Sequence, residues 1–255
     1  MNPPEERDRP PMSLPQIAPY PPPAADRLPE NRAPWKPDPA RAAVLVHDMQ
    51  RYFLRPFASG AEPLATAVRN IARITEAYRA VGAPVVYTAK PGGMPPEERG
   101  LEIDFWGSGM RDVPEHTAID DAVRPREGDT VLVKRRYSAF SGTDLADRLA
   151  AQGRDQLLVT GVYAHIGCLL TAADAFMRDV RPFFVADAMA DFTAEDHHFA
   201  VRYAARRCGA ALSAADALAA AGAAPAPLGR RSDRNRRADR THRRADRAAR
   251  PKGTT

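Results

Sequence analysis

The chain has 255 residues, of which 44% are hydrophobic, so it is long enough to bury a sizeable core in one large or two small domains. Its two cysteines, Cys168 and Cys208, exclude a disulfide framework and favour a reducing compartment. The formal charge of +5 is unevenly placed: residues 229–255 hold ten Arg and one Lys against three Asp, a net +8. The 26 basic and 29 acidic residues of 1–228 leave that part at −3, so the charge alone does not indicate a nucleic-acid partner.

The two ends of the chain differ in composition from its middle. Thirteen of the 25 prolines precede residue 40, which predicts a Pro-rich extended arm over residues 1–39, with partial disorder before about Ser13. Residues 223–255 repeat a short Arg/Asp unit without an apolar face, which predicts a disordered basic tail. We find neither a run of about 18 apolar residues, as a membrane helix needs, nor a secretory signal, and therefore expect a cytoplasmic protein.

Between the ends, short apolar runs rich in β-branched residues predict strands buried on both faces of a parallel sheet. These runs are Ala42–His47, Val85–Ala89, Thr130–Val133, Gln156–Gly161 and Pro182–Asp187, with a weaker sixth at Gly209–Leu212. Helical patterns cover Leu64–Val81, Gly142–Gln152, Leu169–Asp179, Ala194–Arg207 and Ala214–Ala221. The alternation predicts a three-layer α/β/α sandwich with a central parallel sheet of about six strands over residues 40–222.

A long stretch without a regular pattern interrupts this alternation. Residues 90–129 exceed the length of an ordinary connection, which predicts a region that covers a substrate. In a sandwich of this class the site lies at the carboxyl ends of the strands, so we expect the loop region to face that edge of the sheet.

Two charged residues stand at predicted strand ends. Asp48 directly follows the first strand and Lys134 closes the third, so both side chains are expected at one edge of the sheet. A carboxyl among apolar neighbours can have a raised pKa and act as a general acid, and a cation there can hold that carboxyl or an anionic substrate. Taken singly, a capping Asp and a solvated Lys are the commoner interpretations.

A third candidate element leaves the fourth strand and enters a helix. Free N–H groups at a helix start bind anions, and Gly167 would let a substrate approach the backbone closely. Cys168 allows two interpretations, an activated nucleophile at a helix start or, more commonly, a small core residue.

Four motifs together resemble a known family, the isochorismatase branch of the isochorismatase-like hydrolase superfamily. They are HDMQRYFLRP (47–56), FWGSGM (105–110), VKRRYSAF (133–140) and GVYAHIGCLLTAADAFMRD (161–179). The resemblance runs from about Leu14 to Leu218 and is shared by siderophore-pathway isochorismatases and phenazine-pathway 2-amino-2-deoxyisochorismate hydrolases. It implies the sandwich fold, a homodimer, no cofactor, no membrane and a small dianionic substrate derived from chorismate.

The resemblance also assigns the three candidates. Asp48 matches the family's catalytic aspartate and Lys134 its catalytic lysine, whereas Gly167 stands where the related amidases have a nucleophilic cysteine. Cleavage of a vinyl ether by proton transfer from Asp48 needs no covalent intermediate. For Asp48 to carry that proton, the rise in its pKa caused by burial must outweigh the lowering caused by the nearby Lys134. The amidases' metal-binding Asp and two His have no counterpart in the spacing of the six histidines, so we expect no metal.

Further pocket positions carry over in the same way. Arg99 matches a substrate-binding arginine suited to a carboxylate, and Trp106 and Tyr163 match aromatic positions that would pack on the ring. We expect Phe53 to join these two rings. Outside the motifs, a solvated loop Arg and ordinary core aromatics would be the simpler interpretation.

Two residues depart from the family pattern and add positive charge beside the predicted pocket. Lys90 replaces the usual Gln of YTAQP, and Arg135 replaces the Trp after the catalytic Lys. Lys90 would either pair with a substrate carboxylate or lower the pKa of Asp48. The adjacent His197 and His198 are predicted to be a surface pair on a helix.

The leading hypothesis is a hydrolase of isochorismate or its 2-amino-2-deoxy analogue. The short segment after Leu212 leaves no room for an aryl carrier domain, which favours the amino substrate. The alternative is a weakened isochorismatase-fold interaction protein in a secondary-metabolite assembly line. Nucleic-acid binding by the tail is a third, weaker hypothesis.

Overall fold

The computed structural model describes residues 14–223, and among them six strands form one parallel sheet. The strands are β1 (Ala42–His47), β2 (Val85–Ala89), β3 (Thr130–Val133), β4 (Gln156–Val162), β5 (Arg181–Ala190) and β6 (Ala210–Leu212). Their order is β3-β2-β1-β4-β5-β6 and every pair is parallel, which confirms the predicted sheet.

Among the described residues, five helices follow the predicted patterns, and four short ones without a predicted counterpart lie after the first strand or between residues 90 and 129. They are α1 (Arg51–Leu54), α2 (Leu64–Ala80), α3 (Pro96–Arg99), α4 (Glu102–Trp106), α5 (Pro114–Thr117), α6 (Leu145–Ala151), α7 (Leu169–Met177), α8 (Ala194–Tyr203) and α9 (Ala214–Ala220). Two π-helical turns, Ala164–Cys168 and Ala204–Cys208, join β4 to α7 and α8 to β6.

Two cores, one on each face of the sheet, produce the three layers. Val44 and Val46 of β1 face α2 and α9, whereas Leu45 between them faces the layer of α6, α7 and α8. Because successive strand residues point to opposite faces, a strand covered by helices on both sides must be apolar at every position. All six residues of β1 are buried, as this requires.

The third strand is an exception to the prediction that every strand is buried on both faces. β3 lies at the edge of the sheet, where Val131 and Val133 are 45% and 54% exposed and Leu132 is buried. Its apolar composition is the same as that of a central strand, so the sequence pattern could not distinguish the two positions.

The strand order places a crevice beside β1. The chain passes from β1 to β2 and β3 on one side, and then returns to build β4, β5 and β6 on the other. Ligands in sheets of this class bind outside the carboxyl ends of the strands where the order reverses, which here is between β1 and β4.

The part of the arm that the structure describes, from Leu14, lies against this body. The Ile17 side chain is buried and its N–H donates to the Pro56 carbonyl at 3.0 Å. Asn31 pairs with both backbone groups of Ala211 in β6, at 2.8 and 2.7 Å. The predicted disorder before Ser13 and residues 224–255 of the basic tail predicted over 223–255 lie outside the described residues. Within those residues, no helix has the length and apolar character needed to cross a membrane.

Candidate active site

A cavity of about 620 Å³, partly open to solvent, lies at the carboxyl ends of the central strands. Its walls contain all eight residues selected from the sequence, which are Asp48, Lys134, Gly167, Lys90, Arg99, Trp106, Tyr163 and Phe53. The irregular region after β2 supplies part of the wall through α3 and α4, as expected of a segment that covers a substrate.

Asp48 is the first residue after β1 and is 6% exposed. Its backbone has a φ of 50°, in the left-handed region that a non-glycine residue seldom adopts and that is concentrated at functional sites. The Thr88 hydroxyl donates to Oδ1 at 2.6 Å and the Lys134 ammonium donates to Oδ2 at 2.7 Å. Lys134, which is 1% exposed, also donates to the Arg136 carbonyl at 3.0 Å.

These partners decide the ionisation of Asp48 in the ligand-free protein. Burial acts to raise the pKa of Asp48, but His47, Lys134 and Thr88 together lower it below the ordinary value. The expectation that burial would outweigh Lys134 is therefore wrong for the ligand-free protein, because both carboxylate oxygens accept short hydrogen bonds.

His47 occupies the space beside Gly167. A Cβ on Gly167 would lie 2.1 Å from His47 Cε1, so any side chain at this position would displace the imidazole. The ring nitrogens of His47 lie 2.9 Å from the Val162 carbonyl and 3.1 Å from that of Tyr137. Burial lowers the pKa of His47 to about 4, so the ring is neutral at pH 7 and donates one of these two hydrogen bonds.

Cys168 next to Gly167 points away from the reaction space. It is fully buried in the core under α7, and burial raises the pKa of its thiol well above the usual value. The core interpretation of Cys168 is therefore confirmed, and the activated nucleophile is wrong.

A second carboxylate, Glu102, lies in the cavity wall near two cations. The Lys90 ammonium donates to Glu102 Oε2, and Arg99 Nη1 lies 3.8 Å from the same oxygen. All three side chains are less than a tenth exposed. The Arg99 guanidinium lies over Gly109, where a Cβ would come within 2.5 Å of Nη1. Lys90 is thus paired inside the protein instead of being free to meet a substrate carboxylate.

Aromatic rings form the apolar part of the cavity. The Tyr163 hydroxyl donates to the Phe53 carbonyl at 2.6 Å, and its ring centroid lies 4.3 Å from that of Phe192. Trp106 Nε1 donates to the Tyr137 hydroxyl at 2.6 Å. With their polar atoms bonded to the protein, Tyr163 and Trp106 present ring surface to a ligand.

The expectation of a surface pair at His197 and His198 is wrong, and Arg135 has an ion-pair partner outside the cavity wall. Arg135 is not one of the described residues that line the cavity. Its guanidinium is about half exposed and pairs with Glu98 at 2.6 Å. His197 is fully buried, with Nε2 3.0 Å from the Ala186 carbonyl, and only its neighbour His198 lies at the surface. α8 therefore turns one histidine of the pair toward the sheet.

Comparison with known proteins now decides the family. A model of the isochorismatase domain matches residues 42–216, which includes every strand and every residue of the cavity wall from His47 to Phe192. The chain belongs to the isochorismatase family.

Two relatives within this family and one solved structure agree with the match. PhzD, a phenazine biosynthesis protein of Pseudomonas fluorescens, is 51% identical over 195 residues, 76% of this chain and 93% of that protein. An isochorismatase of Bacillus subtilis is 48% identical over 197 residues, 77% of this chain but 63% of that longer protein. A cysteine hydrolase of Pseudomonas syringae, 24% identical with a TM-score of 0.69 over 76% of this chain and 97% of that one, shares the fold.

Sequence reasoning missed three polar residues of this isochorismatase-family site. Thr88, His47 and Glu102 each contact a residue that the sequence predicts for the site, but the sequence analysis assigns no role to these three. Thr88 and His47 stand within two residues of a predicted strand end, so their position was a usable signal. Glu102 belongs to a short helix that the pattern did not predict. Within residues 14–223, no cluster of three or more His, Cys, Asp or Glu side chains is placed to hold a metal ion.

Proposed function

We propose that the protein hydrolyses the enolpyruvyl vinyl ether of isochorismate or 2-amino-2-deoxyisochorismate, releasing pyruvate and a dihydro-aromatic acid. The observation that carries this proposal is the buried Asp48 carboxyl, hydrogen bonded by Thr88 and Lys134, beside a position 167 that holds no cysteine. An acid without an adjacent nucleophile suits protonation of a vinyl ether better than attack on an amide. The names of the relatives, an isochorismatase and a phenazine biosynthesis protein, support the same chemistry.

The reaction requires a proton on Asp48, which the ligand-free site disfavours. A substrate with two carboxylates brings negative charge into the buried site and competes for the Lys134 ammonium, so its binding raises the pKa of Asp48. Asp48 thus takes up a proton when the substrate binds, and its carboxyl is ionised before binding.

Protonated Asp48 then transfers its proton to the terminal methylene carbon, forming a C–H bond and an oxocarbenium ion. Water adds to that ion and returns one proton to Asp48, giving a hemiketal. The hemiketal then collapses: the C–O bond between the pyruvyl carbon and the former ether oxygen breaks, and the hydroxyl proton passes to that oxygen, which stays on the ring. Pyruvate leaves. Lys134, 2.7 Å from Asp48 Oδ2, stabilises the carboxylate that forms in the first step.

Binding and positioning fall to the rest of the cavity. Arg99 offers a buried guanidinium to one substrate carboxylate, and the rings of Tyr163, Trp106 and Phe53 enclose the substrate ring. Enclosure also limits water to what the hydration step requires, which strengthens the charge interactions at Asp48.

The test is release of pyruvate from both substrates by the wild type and by Asp48→Ala and Asp48→Asn. Loss of the general acid should lower kcat by about 10²–10⁴-fold. Asp147→Asn, on the exposed side of α6, is the matched control and should keep the wild-type rate. Pyruvate release by Asp48→Ala at the wild-type rate would show that this carboxyl is not the acid.

We further propose, from the family resemblance alone, that the enzyme acts in the cytoplasm as a homodimer. Light scattering on the purified protein gives the mass that tests the dimer. The pairing of Asp48 with Lys134 in the cavity favours the hydrolase over a weakened isochorismatase-fold interaction protein.

A further inference from the structure

The cavity wall contains a carboxylate oxygen that the protein leaves without a partner. Glu102 is 7% exposed, and its Oε2 accepts from Lys90. Its Oε1 is buried and, within residues 14–223, accepts no hydrogen bond. A buried charged acceptor without a donor is unfavourable, so its persistence beside a ligand cavity indicates that a ligand supplies the donor.

Lys90 and Arg99 hold the Glu102 carboxylate in place. Both cations approach Oε2, at a hydrogen-bond contact from Lys90 Nζ and at 3.8 Å from Arg99 Nη1. With both cations at Oε2, Oε1 is the oxygen of this cavity-lining carboxylate that has no donor among residues 14–223. Lys90 is therefore a positioning residue for Glu102, which accounts for a lysine at this point of the wall.

Glu102 also changes the charge that the cavity offers. The wall holds the cations Lys90, Arg99 and Lys134 and the acids Asp48 and Glu102, so its ionisable side chains sum to +1 and would sum to +2 without Glu102. The two candidate substrates differ by the same single unit. The hydroxylated one carries two carboxylates, whereas the amino one also carries an amine that is protonated at neutral pH.

We propose that Glu102 is a specificity-determining residue whose Oε1 accepts a hydrogen bond from the ammonium group of the amino substrate. The inference rests on the proposed vinyl ether hydrolysis and deepens it by naming the preferred substrate class. Both donors would make a hydrogen bond to the ionised Glu102 carboxylate, but only the ammonium adds the attraction between opposite charges, which is the physical basis of the preference.

The experiment compares kcat/KM for the two substrates, followed by pyruvate release, in the wild type, Glu102→Gln and the double variant Lys90→Gln/Glu102→Gln. The double variant is included because Glu102→Gln alone leaves the buried Lys90 without its counter-ion, whereas the double variant removes both charges. We expect the wild type to prefer the amino substrate by about tenfold or more, and both variants to bring the ratio close to one. An unchanged ratio in both variants overturns the inference.

A pH series adds a readout that a merely structural role would not move. The wild-type preference should decline as the substrate amine loses its proton at alkaline pH, whereas the ratio of the variants should stay flat. Calorimetric binding of the two ring products to the same proteins tests Glu102 without turnover. If the wild type releases no pyruvate from either substrate, the proposed function fails, while equal product affinities in all three proteins overturn the role of Glu102.

Discussion

At the scale of single residues, the ionisation of Asp48 is controlled by a hydroxyl and an ammonium group. Thr88 is fully buried at the end of β2, and its hydroxyl both donates to Asp48 Oδ1 and accepts from the Asp48 backbone N–H at 3.1 Å. A hydrogen bond to the ionised carboxylate lowers its pKa. Thr88 therefore makes proton uptake harder while it holds the carboxyl in one orientation.

Replacing Thr88 by Val should shift the pH dependence of the reaction. Without the donated hydrogen bond the pKa of Asp48 rises, so the limb on which kcat falls with increasing pH should move to higher pH. The measurement is a pH profile of pyruvate release. Thr88→Ser keeps the hydroxyl and is the matched control, with a wild-type profile. A Val variant whose profile overlays that of the wild type would exclude this role for Thr88.

The contrast between Asp48 and Glu102 shows how far a sequence can predict the site. Asp48, Lys134 and Tyr163 follow or close strands, and the carboxyl ends of parallel strands meet at one edge, so their convergence was predictable. Glu102 reaches the wall through α4, in a stretch without periodicity. Its pairing with Lys90 depends on how that stretch folds back over the sheet, which no local pattern encodes.

At the scale of secondary structure, the arm protects the edge strand β6. An edge strand exposes backbone N–H and C=O groups that invite pairing with another chain. The Asn31 side chain satisfies one of each on Ala211, donating to the carbonyl at 2.8 Å and accepting from the N–H at 2.7 Å. A single amide thus occupies the place of a neighbouring strand.

Asn31→Ala should therefore destabilise the protein without affecting the chemistry. Loss of the two hydrogen bonds at a partly buried site is expected to lower the free energy of unfolding by about 1–3 kcal/mol. Urea denaturation measures the change, and kcat should stay at the wild-type value because Asn31 does not line the cavity. Arg32→Ala, at the exposed neighbouring side chain, is the control. Equal stabilities of Asn31→Ala and Arg32→Ala would contradict the argument.

Strand boundaries were predictable where a charged residue ends an apolar run. β1, β2 and β3 have the predicted ends, and the residues that follow them are Asp48, Lys90 and Lys134. β5 extends to Ala190, beyond the predicted Asp187, since a register shift between Val159 and Gly161 of β4 lets pairing resume at Met189. That continuation depends on the partner strand, so it cannot be read from the sequence of β5 alone.

At the scale of the whole molecule, net charge and local charge have different origins. Residues 1–228 sum to −3, yet the ionisable side chains of the cavity wall sum to +1. The sequence predicted positive charge at the pocket from Lys90, Arg99 and Lys134, but the two acids in the same wall largely offset it. Attraction of an anionic substrate is therefore a property of a few buried groups.

The stability of the whole fold should depend on pH through His197. Its ring is buried between α8 and the sheet, and burial lowers its pKa to about 4. The unfolded chain binds a proton at this residue below about pH 6.5, whereas the native protein does so only near pH 4. Stability is therefore fully present above pH 6.5 and declines as the pH falls toward 4, by roughly 3 kcal/mol in total.

His197→Gln tests this dependence because the glutamine amide can still donate to the Ala186 carbonyl but does not titrate. Urea denaturation at intervals from pH 7 to pH 4 should show a shallower loss of stability in the variant than in the wild type. His198→Gln, at the exposed neighbour on α8, should keep the wild-type slope. If His197→Gln and His198→Gln lose stability in parallel over this range, the acid sensitivity of the fold arises from other groups, and the buried imidazole of His197 is not its source.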